Sequence, residues 1–470
     1  MYRFSINKTL FLLLSILILS ACQVVPSSLP PADLPSESVP TQTKPTEETT
    51  QPGAISAATS EPFTFVYKPN PDLPSGLQLQ IDAEEFNQPD GDANEIAFTF
   101  EFSTENPIGN WVYALVAPFP TVTEEVSSTW LQNLWRGEPQ DQIQTLLIGR
   151  ESLPALTSLF GEPAVNIQII ASDKLLESAW TTQNTWAVIP FEELEPRWKV
   201  MKIDGQSPIH KDFDADHYVL SVPISPILVD SGESFNLPAE LSDLHLKNLD
   251  SSKITTVMMT GVTALVRATA VGMDQRGVLV PGEQIASVMQ EADILHISNE
   301  VPFAEECPPH TMGGYLVFCT PESYMELLRY VGTDVVELTG DHFQDYGEAG
   351  MLYTLELYAN EGWPVYGGGK DIFDARTPVK LDVNGNKIAF IGCNAKSPNF
   401  AQASETTTGA YHCDMDYMAQ AVQELKAEGY LPIVTFQHEE RYLWSPNAQM
   451  IRDFNIVAEA GAVIVSGSQS

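Results

Sequence analysis

A chain of 470 residues has room for two or three domains of roughly 150 residues each, with real hydrophobic cores. Hydrophobic residues make up 43% and charged residues 18%, which excludes disorder along the whole length and predicts a mostly globular chain. Against 62 Asp and Glu stand 24 Lys and Arg, a formal charge of -38. Such a surface repels phosphate backbones and anionic lipid heads, which argues against nucleic acid as a partner.

At the N-terminus, Arg3 and Lys8 precede the apolar run Leu10 to Leu19, which is short for a bilayer span and has the layout of a secretory signal. The run closes with Leu19-Ser20-Ala21-Cys22. This resembles the lipobox of bacterial lipoproteins, so residues 1–22 read as a lipoprotein signal. The resemblance implies lipidation of Cys22, attachment to the membrane through it and an extracytoplasmic location. From Gln23 to Ser60 half the residues are Pro, Ser or Thr and none is aromatic, so little there offsets the entropy of ordering. Residues 23–61 therefore read as a tether.

Cys307, Cys319, Cys393 and Cys413 remain, an even number in a compartment where disulfides persist. Pairing Cys307 with Cys319 and Cys393 with Cys413 closes two short loops and is preferred. Zinc ligation lacks close C-x-x-C pairs, and free buried thiols are the remaining alternative.

Residues 62–240 hold Trp111, Trp130, Trp135, Trp180, Trp186 and Trp198, six of the eight tryptophans. Trp111 to Val116 and Trp186 to Phe191 read as buried strands, and Glu124 to Trp135 and Ser172 to Trp180 as helices. The stretch Trp186 to Gly205 resembles the second-lobe region of periplasmic solute-binding proteins. That implies a two-lobed solute-binding-like α/β domain in which Trp111, Trp130 or Trp135 stack on a solute, although aromatics at this spacing more often fill cores.

From Lys253 onward strand and helix alternate. Strands are predicted over Thr255 to Thr260, Ala292 to Ile297, Asp334 to Leu338, Lys387 to Ile391, Pro432 to Phe436 and Ala462 to Val465, each stopping at small or polar residues. Between them helices are predicted over Glu322 to Tyr330, Met351 to Tyr358, Asp416 to Glu428 and Asn447 to Ala460. In such an α/β layering the loops after the strands gather on one edge. Gly367-Gly368-Gly369-Lys370 lacks phosphate-loop spacing and reads as a tight turn, and no Gly-x-Ser-x-Gly elbow is present.

These strand ends carry a resemblance. Gly261 to Arg267 is similar to the opening Gly-Asp-x-x-x-x-Arg loop of the capsule synthesis protein CapA (poly-γ-glutamate capsule) family, with Val262 in place of the aspartate. Asn299-Glu300 and Pro302 resemble its Asn-Leu-Glu segment. Asp341-His342-Phe343-Gln344-Asp345-Tyr346-Gly347, followed by Thr354, resembles its Asn-Asn-His-x-x-Asp-x-Gly signature, with Gly340 at the first asparagine. Phe436-Gln437-His438-Glu439 lies where the family has a histidine before Trp-Gly. The end of the chain, Gly461 to Ser470, resembles the closing strand without its histidine turn, which implies a fragment lacking its last elements.

The resemblance implies that residues 253–470 are a CapA-like domain with a metallophosphatase-like layered α/β sandwich. A dinuclear site of that type needs carboxylate, imidazole and amide ligands around two cations. With Val262, Gln437 and Ser468 or Gln469 in place of ligands, the set left is Asn299, Glu300, Asp341 and His342, enough for one divalent ion (Mn, Zn or Mg) or none. A structural role for His342 stands beside a ligand role, Asp345 is read as a helix cap, and Glu439 and Glu440 as solvated charges. A metal-free pocket is the alternative, with Glu300, Asp341, His342, His438 and Glu440 on one edge for acid–base work and Arg267 holding an anion. The functional expectation is a surface lipoprotein in assembly or hydrolysis of a capsule-type polymer with a degenerate metallophosphatase-type site. The alternative is a non-catalytic extracellular protein that binds a polymer or small solute.

Overall fold

The computed structural model describes residues 64–469 apart from positions 85, 88–94, 139, 142, 238–242 and 397–400. Cys22, the signal and the tether lie outside the described residues.

In the front block one mixed sheet runs in the order Thr64–Tyr67, Glu95–Phe102, Ser221–Leu228, Gly109–Pro118, Thr185–Pro190, Thr145–Gly149, Ile167–Ile170. Alternation along its central strand explains its two faces: Tyr113, Leu115 and Ala117 enter one apolar cluster, Ala114 and Val116 the other. The two-lobed expectation is corrected, because the described strands of this block, except the short pair Glu125–Val126 and Lys202–Ile203, join a single sheet. Trp111 and Trp135 are fully buried, and Trp130 packs against Trp186 with ring centroids 5.4 Å apart. The tryptophans proposed for solute stacking are thus core residues. The helix expected from Glu124 begins at Ser128, because Glu125–Val126 pairs as a strand and Ser127 caps the helix by accepting from Trp130 N.

Downstream, two four-stranded sheets form. The first is parallel in the order β1 (Val257–Val262), β2 (Ile294–Ser298), β3 (Val335–Glu337), β4 (Val365–Tyr366). The second runs β5 (Val379–Val383), β6 (Asn386–Asn394), β7 (Leu431–Gln437), β8 (Ile464–Gly467), with only the β5–β6 pair antiparallel. Residue parity accounts for the packing. Ile294, Val335, Tyr366, Val379, Ile388, Phe390 and Ile433 from both sheets form one shared cluster. The opposite parity of the first sheet, Leu295, Ile297, Val336 and Leu338, packs with helices α1 (Arg267–Arg276), α2 (Met325–Val331) and α3 (Gly347–Glu361). That of the second, Ala389, Ile391, Cys393, Val434 and Phe436, packs with α4 (Met415–Ala427) and α5 (Ala448–Ala460).

Local chemistry sets these boundaries. The Asp414 carboxylate caps α4 by accepting from Asp416 N and Tyr417 N, Asn447 caps α5, and Gly461 ends it in the left-handed region. The β5–β6 hairpin, which the sequence reading passed over, turns at Asn384-Gly385 with both φ values positive, the preferred two-residue turn. Both disulfides form with the expected pairing, Cys307–Cys319 and Cys393–Cys413.

At the end of the sheets opposite the strand-end loops, Asp293 joins three segments. It accepts from Thr256 N at 2.8 Å, Thr256 Oγ1 at 3.0 Å and Asn384 Nδ2 at 3.2 Å, and pairs with Lys211 Nζ of the front block at 2.8 Å. Burial opposes the charge, but these donors outweigh it and hold the Asp293 carboxyl down to about 2. Asp293→Ala is expected to lower unfolding stability by about 2 kcal/mol at neutral pH. The folded value lies below the unfolded one, so this contribution is full above about pH 4 and fades as pH falls toward 2. Urea unfolding of both proteins at pH 7 and at the lowest pH that keeps them folded checks this; an equal difference at both would contradict it.

Candidate functional site

The ends of β1, β2, β3, β6, β7 and β8 deliver their loops to one edge. Val262 N donates to Ser468 O at 2.9 Å, Thr263 N to Ser298 O at 2.6 Å and Ala395 N to Gln437 O at 2.8 Å. Gly340 follows β3 because nothing larger fits: a Cβ there would stand 2.3 Å from Glu300 Cβ and 2.4 Å from its Cα. The close approach brings the Glu300 and Asp341 loops together.

The buried Gln437 carboxamide is the hub. Its Oε1 accepts from Asp341 N and from Asn394 Nδ2, both at 2.8 Å, and its Nε2 donates to Glu300 Oε2 at 2.6 Å. Gln469 Nε2 donates to the same Glu300 oxygen at 3.0 Å. Lys396 Nζ stands 3.0 Å from Asp341 Oδ1, an ion pair rather than an aligned hydrogen bond. Burial pushes the Glu300 carboxyl above its ordinary value; the charge of Asp341 adds to this, while His342, Lys396 and Gln437 hold it back.

His342 is fixed from below. Its Nδ1 is 2.8 Å from Asp345 Oδ2, an oxygen that also accepts from Phe318 N at 2.7 Å. The expected cap role of Asp345 is corrected, because α3 starts after Tyr346 with no side-chain cap bond; Asp345 instead orients the imidazole and anchors the Cys307–Cys319 loop. Phe318 of that loop lies with its ring centroid 4.8 Å from that of His342, and the Arg267 guanidinium stands over the same Phe318 ring, 5.0 Å from its centroid. Burial opposes protonation of His342, but the Asp345 hydrogen bond and the charges of Asp345, Asp341 and Glu300 outweigh it and raise the imidazole above its usual value. With Nδ1 committed to Asp345, Nε2 is the atom free to carry a proton.

The other expected residues lie elsewhere. His438 turns away from the edge, with Nε2 3.1 Å from Asp453 Oδ2 and its ring against both Phe436 and Phe454. The adjacent Gln437 points to the opposite side, as strand alternation requires. Glu440 is exposed and accepts from Tyr442 Oη at 3.0 Å. The expected grouping of His438 and Glu440 with Glu300, Asp341 and His342 is thus corrected. Asn299 uses its Nδ2 on Val301 O at 2.9 Å and Tyr358 Oη at 2.6 Å, so its carboxamide holds the loop. Thr354 accepts from Phe303 N at 2.7 Å and does the same for the following segment.

The donor set does not fit a metal ion. Among the described residues no group of three or more His, Cys, Asp or Glu side chains is placed to hold one. Asn299 and Gln437 have their amides engaged, and an ammonium occupies the space beside Asp341. Sequence reasoning missed Lys396 and Asn394. The signal was available: a lysine two residues past the strand end Gly392-Cys393-Asn394, in a chain with few cations.

Exchanging Gly340 for Asn, the residue of the related motif, is expected to destabilise the protein by about 3 kcal/mol through overlap with Glu300. Denaturant unfolding with an unchanged midpoint would show that the loop yields freely.

Comparison with known proteins places this geometry. The family model described as bacterial capsule synthesis protein PGA_cap matches residues 256–470. A curated relative, the PGA biosynthesis protein CapA of Bacillus subtilis (strain 168), is 26% identical over 149 residues, 32% of this chain and 39% of that protein. The capsule biosynthesis protein CapA of Bacillus anthracis is 23% identical over 150 residues, 31% of this chain and 36% of that protein. The chain thus matches well under half the length of these relatives. Among solved structures, an ABC-type phosphate transport receptor from Vibrio cholerae aligns with 36% of this chain and 88% of that one at 13% identity and a TM-score of 0.28, too low to inform the fold. Residues 256–470 of this chain thus match the model of the bacterial capsule synthesis protein PGA_cap family and are similar to the CapA proteins of these two bacilli.

Proposed function

We propose that this chain acts in the assembly or hydrolysis of a capsule or poly-γ-glutamate-type polymer at the bacterial cell surface. Its family segment supplies a metallophosphatase-like layered α/β sandwich whose strand-end site works through internal cations. Lipidation at Cys22, with residues 23–61 as tether, anchors it; no helix among the described residues is long and apolar enough to cross a membrane. The family match supports the polymer class.

The observation that carries the site reading is the grouping of Lys396, His342 and Arg267 around Glu300, Asp341 and Phe318. On a chain of net charge -38, a polyanion is repelled almost everywhere. At this edge a partly buried lysine, an imidazole with a raised proton affinity and a guanidinium without an ion-pair partner among the described residues offset the carboxylates. Arg267 holds its place with φ of 50°, a left-handed conformation that few non-glycine residues adopt. Lys396 and Arg267 hold polymer carboxylates, and His342 Nε2 gives or takes a proton at the bond beside them.

The test is retention of poly-γ-glutamate on the immobilised full chain, together with release of new amine ends from the polymer. Lys396→Met and Arg267→Met are each expected to weaken retention about tenfold, on the order of one charged hydrogen bond lost. His342→Ala is expected to reduce amine release while leaving retention within about threefold. Equal retention in wild type and both cation variants would overturn the reading.

A further inference from the structure

The loop closed by the Cys307–Cys319 disulfide carries more than Phe318. Together with the start of α1 and Tyr346 it walls a cavity of about 350 Å³, lined among others by Arg267, Pro308, His310, Val317 and Phe318, a volume within the range of small-molecule sites. His342 is not part of the lining, so this space is distinct from the reacting position. It is nevertheless close, because Arg267 and His342 contact the same Phe318 ring.

The sign of the lining sets this cavity apart. Among the described residues that line it there is no Asp or Glu, although the chain has 62 acidic against 24 basic residues. Four further cavities among the described residues each include a carboxylate, Asp141, Glu291, Glu193 and Asp72 in turn. An anion is repelled by those walls and not by this one.

Two polar groups of the lining are uncommitted. Arg267 has no ion-pair partner among the described residues, and the Tyr346 hydroxyl has no hydrogen-bond partner among them. His310 has a different part. Its Nδ1 stands 3.3 Å from Asp274 Oδ2 and its Nε2 3.3 Å from Cys319 O, while Asp274 Oδ1 accepts from Tyr324 Oη at 2.5 Å. Both partners of the imidazole are acceptors, so the doubly protonated ring is the form that satisfies both, and Asp274 balances its charge from behind. His310 thus ties the disulfide loop to α1 and fixes the shape of the cavity, which leaves Arg267 as its free charge.

We propose that this cavity is a carboxylate subsite that seats the polymer residue next to the one at His342, with the carboxylate between Arg267 and the Tyr346 hydroxyl. The proposal rests on the polymer reading above and extends it from the reacting bond to a neighbouring unit. A γ-linked glutamate chain alternates pendant carboxylates with methylenes. The guanidinium and the phenol donate to the former, and Pro308, Val317 and the Phe318 ring cover the latter.

The experiment is calorimetric titration of the full chain with a short γ-linked oligoglutamate, for wild type, Val317→Glu, Val317→Gln, Tyr346→Phe and Lys396→Met. Val317 is an exposed wall residue, so exchanging it alters the cavity and not the core. Val317→Glu is expected to weaken binding about tenfold by setting a carboxylate in the acid-free wall, and Val317→Gln to stay within about threefold of wild type. Tyr346→Phe is expected to weaken it about threefold, the effect of one neutral hydrogen bond, with melting temperatures unchanged throughout. Wild-type affinity in Val317→Glu and Tyr346→Phe, with Lys396→Met still weakened, would overturn the subsite and leave the polymer reading standing. So would a wild type that retains the long polymer but does not bind the oligomer. Equal weakening by Glu and Gln at position 317 would overturn the carboxylate assignment, and a wild type that binds neither oligomer nor polymer would overturn both readings.

Discussion

The strand-end edge depends on the satisfaction of one buried amide. Gln437 leaves the end of β7 where two sheets meet, and its carboxamide has one acceptor and one donor end to place out of water. Both are filled: Asp341 N and Asn394 Nδ2 at the oxygen, Glu300 at the nitrogen. A buried polar group costs little only when all its bonds are made, so the loops after β2, β3 and β6 are held to one geometry. An imidazole at this position has no pair of donor and acceptor atoms on one fork and would leave at least one of these partners unmet. The Gln437 carboxamide is therefore what locks the edge as it is.

Beneath the edge the same logic is repeated between the sheets. Glu337 and His296 are buried at 3.4 Å, His296 Nε2 lies 2.7 Å from Tyr366 Oη, and Tyr366 Oη lies 3.0 Å from Thr435 Oγ1. Burial would raise the Glu337 carboxyl, but His296 and Thr339 hold it below its ordinary value. Side chains of β2, β3, β4 and β7 are thus cross-linked by polar contacts inside an otherwise apolar layer, which discriminates against slipped register between the sheets. The disulfides brace the periphery: Cys393 immediately precedes Asn394, and the Cys307–Cys319 loop delivers Phe318 to His342.

Much of this was legible in the residues. Apolar runs ending in polar pairs located the strands of the family segment within a few residues, and their loops do converge. Asn447 and Gly461 mark the ends of α5, and short loops between cysteines indicated both disulfides. What was not legible is direction. His438 and Gln437 are adjacent in sequence, yet strand alternation sends one to Asp453 and the other to Glu300. Nor did motif spacing show that the Asn299 amide is used by Tyr358, or that Lys396, outside any motif, reaches Asp341. In the front block, strands separated by a hundred residues in sequence join in one sheet, and such long-range pairing leaves no local signature.

The account therefore rests on charge balance. Where a metallophosphatase site uses two cations, this edge balances Glu300, Asp341 and Asp345 with an ammonium, an imidazole and amide donors. The most direct measurement is the divalent metal content of the purified full chain, after incubation with excess Mn²⁺ or Zn²⁺ and removal of unbound ions, for wild type and Lys396→Ala. The account predicts well below one ion per chain in the wild type. One or two ions per chain in the wild type, unchanged on removing Lys396, would contradict it.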